Sequence, residues 1–195
     1  MVKLIGPKKV RTAVFISGTG SNLKSLIKFS LKKVSPIEVN LIAVSNNVKA
    51  KGLKFAKLYK IKKKVYNYNE KKVSEKRILK DLKLNDIKLI CLAGFMKILS
   101  KDFIRKFKGK ILNIHPSLLP KYKGLNTHYR AIQNKEKYSG CTVHLVNSKL
   151  DSGKIILQKK VKLSKEETPS SLQKKILKHE HILYPKAISK IFVNL

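Results

Sequence analysis

Short apolar runs alternate with amphipathic segments along the first 115 residues of the chain. Segment 22–30 places Leu23, Leu26 and Ile27 at the spacing of one helix face. Short continuous apolar runs indicate buried strands instead. We predict strands at residues 13–17, 39–45, 65–66, 89–93 and 111–114, and helices at 22–30, 50–59, 74–84 (capped by Ser74) and 102–107.

This alternation of strand and helix predicts a parallel sheet with right-handed crossovers. The pattern changes after Pro116, because residues 115–127 are rich in Pro, Gly and polar residues and indicate a loop. Strands predicted at 141–146 and 155–161 are joined too closely for a crossover helix, so they should pair antiparallel. Residues 169–191 predict a terminal helix. The expected fold class is α/β, with a mostly parallel sheet flanked by helices and an antiparallel C-terminal part.

Length and composition favour one domain, residues 1–195, because 43% hydrophobic residues can bury a proper core. The formal net charge of +34 would suit a polyanionic partner. Lysine carries nearly all of it, however, and is spread over the whole chain together with Ile and Asn. Such uniform enrichment favours biased composition over an evolved nucleic-acid surface. The only arginines are Arg11, Arg77, Arg105 and Arg130.

Cysteine usage and the absence of targeting signals predict a cytoplasmic protein. Cys91 and Cys141 form no CxxC pair, which indicates a reducing compartment. The apolar stretch within residues 1–9 is too short for a signal peptide. No apolar run approaches the roughly 20 residues of a membrane span.

A glycine-rich segment, SGTGSN at residues 17–22, follows the first predicted strand and begins a helix. Backbone N–H groups at such a helix start bind anions. Leu23 stands where a dinucleotide fingerprint needs its third glycine, and no Gly-Lys-Ser/Thr follows. The segment therefore predicts a monophosphate site at Gly20, Ser21 and Asn22, or else an ordinary turn with a helix cap.

Two polar residues end the last parallel strand. Asn113 and His115 are two apart, so their side chains share one face, and ligands of open α/β sheets bind at this edge. A neutral donor beside an imidazole suits polarisation of a carbonyl and stabilisation of an oxyanion. Asp151 is the expected partner that holds His115 as imidazolium. The alternatives are a loop-capping Asn, an incidental His and an ordinary Asp-Ser-Gly turn.

The other histidines, His128, His144, His179 and His181, lack the spacing of a metal site, so no metal is predicted.

Six segments occur in a fixed order along the chain. Together they resemble the phosphoribosylglycinamide formyltransferases, a folate-dependent family of purine biosynthesis, and the resemblance covers nearly everything after Arg11. The most specific part is NIHPSLLP followed downstream by LDxG. The segments are SGTGSN at 17–22, LAGFMKILS at 92–100, NIHPSLLPKYKG at 113–124, GCTVHLV at 140–146, LDSGKIILQ at 150–158 and HEHILYP at 179–185.

The resemblance implies a Rossmann-like fold with a phosphate-binding half, 11–115, and a folate and catalytic half, 116–195. It implies transfer of the formyl group of 10-formyltetrahydrofolate to glycinamide ribonucleotide in de novo purine (IMP) biosynthesis, without a metal. The implied catalytic residues are Asn113, His115 and Asp151; the substrate contacts are Gly20, Ser21, Asn22 and Glu180; the folate contacts are Lys71, Met96, Lys97, Ile98, Leu99, Asn113 and the loop 146–151.

Two positions depart from the family pattern. Lys97 replaces the usual Arg, which removes a planar donor fork, so we expect altered folate affinity. Asn126 stands where relatives often carry His.

Three alternatives remain open at this point. Methionyl-tRNA formyltransferases share the chemistry and would explain the charge, but usually carry an additional C-terminal domain and lack the SGTGSN loop. Formyltetrahydrofolate hydrolases normally carry an N-terminal regulatory domain. A basic nucleic-acid-binding module would have no need of Asn113, His115 and Asp151 together.

The expected partners are small-molecule substrates only. We expect no specific binding to nucleic acid or to membranes, and we expect the protein to be a monomer or a weak homodimer.

Overall fold

The computed structural model describes residues 9–192, apart from the side chains of residues 40–43. The expectation of no signal peptide concerns residues 1–9, nearly all of which lie outside the described residues. The strands are β1 (Val10–Ile16), β2 (Ile37–Ser45), β3 (Lys63–Val65), β4 (Leu89–Leu92), β5 (Lys110–His115), β6 (Tyr138–Leu145) and β7 (Ile155–Lys162). The helices are α1 (Ser21–Ser30), α2 (Leu53–Leu58), α3 (Lys71–Leu84), α4 (Lys101–Lys106), α5 (Thr127–Gln133) and α6 (Pro169–Phe192).

The strands form one seven-stranded sheet in the order β3-β2-β1-β4-β5-β6-β7. Neighbouring strands from β3 to β5 run parallel, whereas β6 pairs antiparallel with both β5 and β7. This confirms the predicted α/β class and the antiparallel C-terminal part. The strand order reverses between β1 and β4, and ligand crevices of open α/β sheets form at such a point.

Both faces of the central strands are covered by helices. In β1, Val14 packs with Leu23 of α1 and Ile176 of α6, while the next residue, Phe15, packs with Ile78 of α3 on the other face. All five of these side chains are fully buried. Burial on both faces explains why the strands read as continuous apolar runs in the sequence.

The long helix α6 continues through Pro185. Because proline has no N–H, the carbonyl of His181 loses its partner in the helix. Ser25 of α1 donates its hydroxyl to that carbonyl at 2.8 Å and satisfies it. The buried hydroxyl of Tyr184 lies 3.1 and 3.0 Å from two backbone carbonyls in β4 and β5. These bonds fix α6 against α1 and against the sheet.

The predicted elements lie within three residues of their observed bounds, but one expected helix cap is wrong and one helix was not predicted. Ser74 does not cap α3, which begins at Lys71; its hydroxyl donates instead to the carbonyl of Asn67 at 2.6 Å. Helix α5 was absent from the expectations, because it is short and follows a segment rich in turn residues.

Lysines line both edges of the sheet. β3 carries Lys63 and Lys64, and β7 carries Lys159, Lys160 and Lys162. Charged edge residues discourage pairing with a strand from another molecule. These edge lysines therefore protect the sheet from such pairing.

Both cysteines are free and buried. Burial raises the pKa of each thiol to about 12. Within residues 9–192, no helix is long and apolar enough to cross a bilayer.

Candidate active site

An open cleft of about 800 Å³ lies where β1, β4 and β5 end. It receives side chains from residues 18–116 and from residues 124–180. Lys71 begins α3 and is not among the described residues that line the cleft. The other predicted site residues all line it: Gly20, Ser21, Asn22, Met96, Lys97, Ile98, Leu99, Asn113, His115, Asp151 and Glu180.

The glycine-rich loop can bind an anion through its backbone. Gly20 caps α1 in the left-handed conformation, with φ 73°. A Cβ on Gly20 would lie 2.5 Å from the Cα of Gly52, so no larger residue fits without displacement of backbone. The start of α1 has no side-chain cap and no acidic residue in its first turn. Its free N–H groups and the positive end of the helix dipole therefore remain available to a phosphate.

Beside that loop, Asn22 donates from Nδ2 to Glu180 Oε2 at 2.7 Å. Both side chains are buried. Burial raises the pKa of Glu180, and the hydrogen bond from Asn22 offsets part of that rise. The Oδ1 atom of Asn22 is buried and has no hydrogen-bond partner among the described residues. This wall of the cleft thus offers a carboxylate and an unused amide oxygen, two acceptors for a polar ligand.

The structure brings Asn113, His115 and Asp151 together. Asp151 lies between β6 and β7, and its Oδ2 is 3.4 Å from His115 Nδ1. Asn113 Nδ2 is 3.4 Å from the other carboxylate oxygen, Oδ1. The N–H of Gly124 donates to Oδ2 at 2.9 Å and orients the carboxylate. An amide donor, an imidazole and a carboxylate therefore meet at the end of β5.

His144 is a fourth member of this group, which the sequence analysis missed as a site residue. Its Nε2 lies 3.2 Å from Asn113 Nδ2 and 3.6 Å from Asp151 Oδ1. Its Nδ1 lies 2.8 Å from the carbonyl of Leu145, which can only accept, so Nδ1 carries the proton. Asn113 and His144 are direct cross-strand partners in β5 and β6. The sequence analysis predicted the strand that contains His144 but not its pairing with β5, and opposite residues of paired strands lie about 5 Å apart.

Burial lowers the pKa of His115; contacts with the Tyr122 carbonyl and Asp151 offset this only in part. This direction favours neutral imidazole in the free protein, whereas the sequence analysis expected Asp151 to favour imidazolium. The Nε2 atom of His115 lies 2.8 Å from the carbonyl of Tyr122 and must carry the proton, so Nδ1 is the basic nitrogen. Burial by itself would raise the pKa of Asp151, but its contacts with His144, the N–H of Gly124 and His115 lower it below its ordinary value.

The segment after β4 is tied to the glycine-rich loop by Ser17. The N–H of Met96 donates to Ser17 Oγ at 2.8 Å, and that hydroxyl donates to Asn46 Oδ1. At its other end, Ser100 caps α4 and is bonded to the buried carboxylate of Glu75. Segment 96–99, whose residues line the cleft, is thus fixed at both ends.

Apolar side chains stand exposed at the mouth of the cleft. Met96 and Ile98 are each 65% exposed, and Leu150 on the facing loop is 52% exposed. Such a cluster marks a surface for a ligand with flat apolar parts. Lys97 lies between the first two and is exposed, so its charge is at the rim. Within the part of the chain that the structure describes, no three His, Cys, Asp or Glu side chains could hold a metal ion.

Comparison with known proteins identifies related chains. The model of the formyl transferase family matches residues 10–188. A phosphoribosylglycinamide formyltransferase of Haemophilus influenzae is 40% identical over 181 residues, which cover 91% of this chain and 85% of that protein. The crystal structure of a phosphoribosylglycinamide formyltransferase from Anaplasma phagocytophilum superposes with a TM-score of 0.90 at 41% identity and covers 96% of this chain and 88% of that one.

A longer relative matches as well. The trifunctional purine biosynthetic protein adenosine-3 of Drosophila melanogaster is 39% identical over 193 residues, which cover 97% of this chain. The chain spans only 14% of the length of that protein.

Proposed function

This chain belongs to the formyl transferase family, and we propose that it transfers the formyl group of 10-formyltetrahydrofolate to the amine of glycinamide ribonucleotide. The products are formylglycinamide ribonucleotide and tetrahydrofolate, in de novo purine biosynthesis. The observation that carries this proposal is the meeting of Asn113, His115 and Asp151 at the end of β5, beside an uncapped glycine-rich helix start.

The ribonucleotide occupies the glycine-rich side of the cleft. Its phosphate accepts from the backbone N–H groups of Gly20, Ser21 and Asn22 at the start of α1. Glu180 and the unused amide oxygen of Asn22 accept from its ribose or amine donors. This placement directs the amine toward Asn113 and His115, which lie in the same cleft.

The folate occupies the apolar side. The exposed side chains of Met96 and Ile98, with Leu150 opposite, fit its flat rings, and the backbone of segment 96–99 can pair with the polar edge of the pterin. Lys97 at the rim suits the carboxylates of the glutamate tail. Lys71 lies outside the cleft lining, so any contact with folate is confined to that tail.

In the reaction, the amine of the ribonucleotide attacks the formyl carbon, and negative charge develops on the formyl oxygen. Asn113 donates its amide N–H to that oxygen. His115 accepts the proton of the amine at Nδ1 through a water molecule, and Asp151 stabilises the imidazolium. The bond from the formyl carbon to the folate nitrogen then breaks, and His115 returns the proton to that nitrogen. No metal and no covalent enzyme intermediate take part.

We propose that residues 1–195 act as one formyltransferase domain in the cytoplasm, as a monomer or weak homodimer. One sheet runs through both halves of the chain, and α6 packs on α1 as well as on β6 and β7, which supports a single unit. The two buried free thiols suit a reducing compartment.

The test is a formyl-transfer assay with the purified full-length chain and both proposed substrates, followed by absorbance of the folate product. Turnover should require glycinamide ribonucleotide and disappear in His115→Ala. Parallel reactions without the ribonucleotide and with methionyl-tRNA in its place are the controls. Folate turnover without acceptor would indicate a hydrolase, and turnover only with the tRNA would indicate the other formyltransferase class; either result overturns the proposal.

A further inference from the structure

The shortest polar contact of His115 is with backbone rather than with Asp151. Its Nε2 donates to the carbonyl of Tyr122 at 2.8 Å, whereas its Nδ1 is 3.4 Å from Asp151 Oδ2. The same carbonyl also accepts, more weakly, from Ser117 Oγ at 3.4 Å. The orientation of the Tyr122 peptide therefore decides which imidazole nitrogen carries the resting proton.

That peptide belongs to a residue in an uncommon conformation. Tyr122 has φ 55°, in the left-handed region that a bulky side chain seldom occupies. A residue stays in such a conformation only where its surroundings hold it there. For Tyr122, the contacts of its side chain supply that restraint.

Groups on α5 and the turn after it hold the Tyr122 side chain. Its hydroxyl donates to Glu136 Oε1 at 2.8 Å and accepts from Asn134 Nδ2 at 2.9 Å. The guanidinium of Arg130 lies 5.1 Å from the ring centroid. Lys121 pairs with the same oxygen of Glu136 at 2.7 Å and keeps that carboxylate in place. Among these groups, only Tyr122 forms a hydrogen bond with His115.

We propose that Tyr122 and Glu136 are positioning residues, which hold the Tyr122 carbonyl against His115 Nε2 and so keep Nδ1 free to accept a proton. The proposal rests on the function proposed above, since it assigns these residues to the formyl-transfer step. Neither residue contacts substrate in this role; both act through His115.

The groups around His115 determine the sign of the expected pH effect. The Tyr122 carbonyl and Asp151 favour its charged form, while burial, His144 and Arg130 disfavour it. His128 on α5 also interacts electrostatically with His115. Loss of the Tyr122 carbonyl contact therefore lowers the pKa of His115 further and removes the preference for a proton on Nε2.

The experiment compares Tyr122→Phe, which removes only the hydroxyl, with Tyr138→Phe, the same change at an exposed position on β6 that stacks on Lys160. The nitrogen resonances of ¹⁵N-histidine-labelled full-length protein give the His115 tautomer and pKa without any substrate, with His115→Ala for assignment. Kinetics give kcat and both KM values across pH. Glu136→Ala and the double variant complete a thermodynamic cycle.

We expect Tyr122→Phe to lower kcat by about 3- to 10-fold at pH 7, the range for one lost hydrogen bond, with both KM values little changed. The His115 pKa should fall and Nδ1–H should become populated, in Glu136→Ala as well, and the double variant should add little. Tyr138→Phe should match the wild type. If the His115 tautomer and pKa are unchanged in Tyr122→Phe and Glu136→Ala, the positioning role is wrong. If they change while the wild type does not formylate glycinamide ribonucleotide, the positioning role stands and the proposed function fails.

Discussion

Asn22 and Glu180 are separated by 158 residues of chain, yet they share a 2.7 Å hydrogen bond inside the cleft. The bond joins the first turn of α1 to the middle of α6, so it contributes to the fold as well as to the site. Burial raises the pKa of Glu180 above its ordinary 4.5. The protonated form is therefore favoured on folding, and its contribution to stability is present at low pH and lost as the pH rises through the raised pKa.

Glu180→Gln should accordingly raise the unfolding temperature at pH 7, because a neutral amide keeps the bond from Asn22 without a buried charge. The gain should shrink as the pH falls and vanish near pH 3, where the carboxyl group is neutral in both folded and unfolded chains. Thermal unfolding at the two pH values checks this, with Glu166→Gln on the exposed surface as control. The same variant should bind the ribonucleotide more weakly, a common cost of stabilising a polar site. Lower stability at pH 7 would contradict the assigned cost of the buried carboxylate.

Asn113→Ala should lower kcat by roughly 10²–10³, the usual cost of one lost oxyanion donor, with a much smaller effect on either KM. Steady-state kinetics with both substrates measure the split. A variant that loses affinity while keeping kcat would place Asn113 in substrate binding instead.

Asp151→Asn should lower kcat by about 10² or more, since general acid–base catalysis contributes that much. The pKa of Asp151 lies below its ordinary value, so the carboxylate is charged at every working pH. Its loss removes a group that favours imidazolium, and the acid limb of the pH–rate profile should move to lower pH. Unchanged turnover would remove Asp151 from the mechanism.

Gly20→Ala should destabilise the protein by about 1–2 kcal/mol from the left-handed backbone alone, and more from the 2.5 Å approach to Gly52. Ribonucleotide affinity should fall with it, because the start of α1 must shift. Gly18→Ala is the matched control for stability, since a Cβ there meets nothing within 4 Å. Denaturant unfolding of both variants gives the comparison, and equal stabilities would show that the loop accommodates the contact.

Ser17→Ala should raise the KM for folate by several-fold with little change in kcat, because it releases the N–H of Met96 that holds the folate-side segment. Ser25→Ala removes a comparable hydroxyl bond away from the cleft, to the carbonyl of His181, and should leave that KM unaltered. An equal effect of the two substitutions would mean that the change is general loss of stability.

The fold could be predicted almost entirely from the sequence, because its core strands are buried on both faces and its helices are amphipathic. Where prediction failed, the decisive contacts were tertiary. Ser74 looked like a cap, but the preceding residues continue into helix α3. No local pattern marked His144 as a site residue, because its position opposite Asn113 depends on the pairing of β5 with β6. The lowered pKa of His115 depends on burial, which no local pattern reveals.

Cys91 and Cys141 are the only thiols of the chain, and both are enclosed, with pKa values of about 12. A thiolate, not a thiol, reacts with oxidants and alkylating agents, so the native molecule should be inert to them. Reaction then requires opening of the strands that carry these residues, which are β4 at the centre of the sheet and β6 next to its edge strand β7. The rate at which an alkylating agent labels the two thiols under native conditions would thus report how often these strands open, without any added probe.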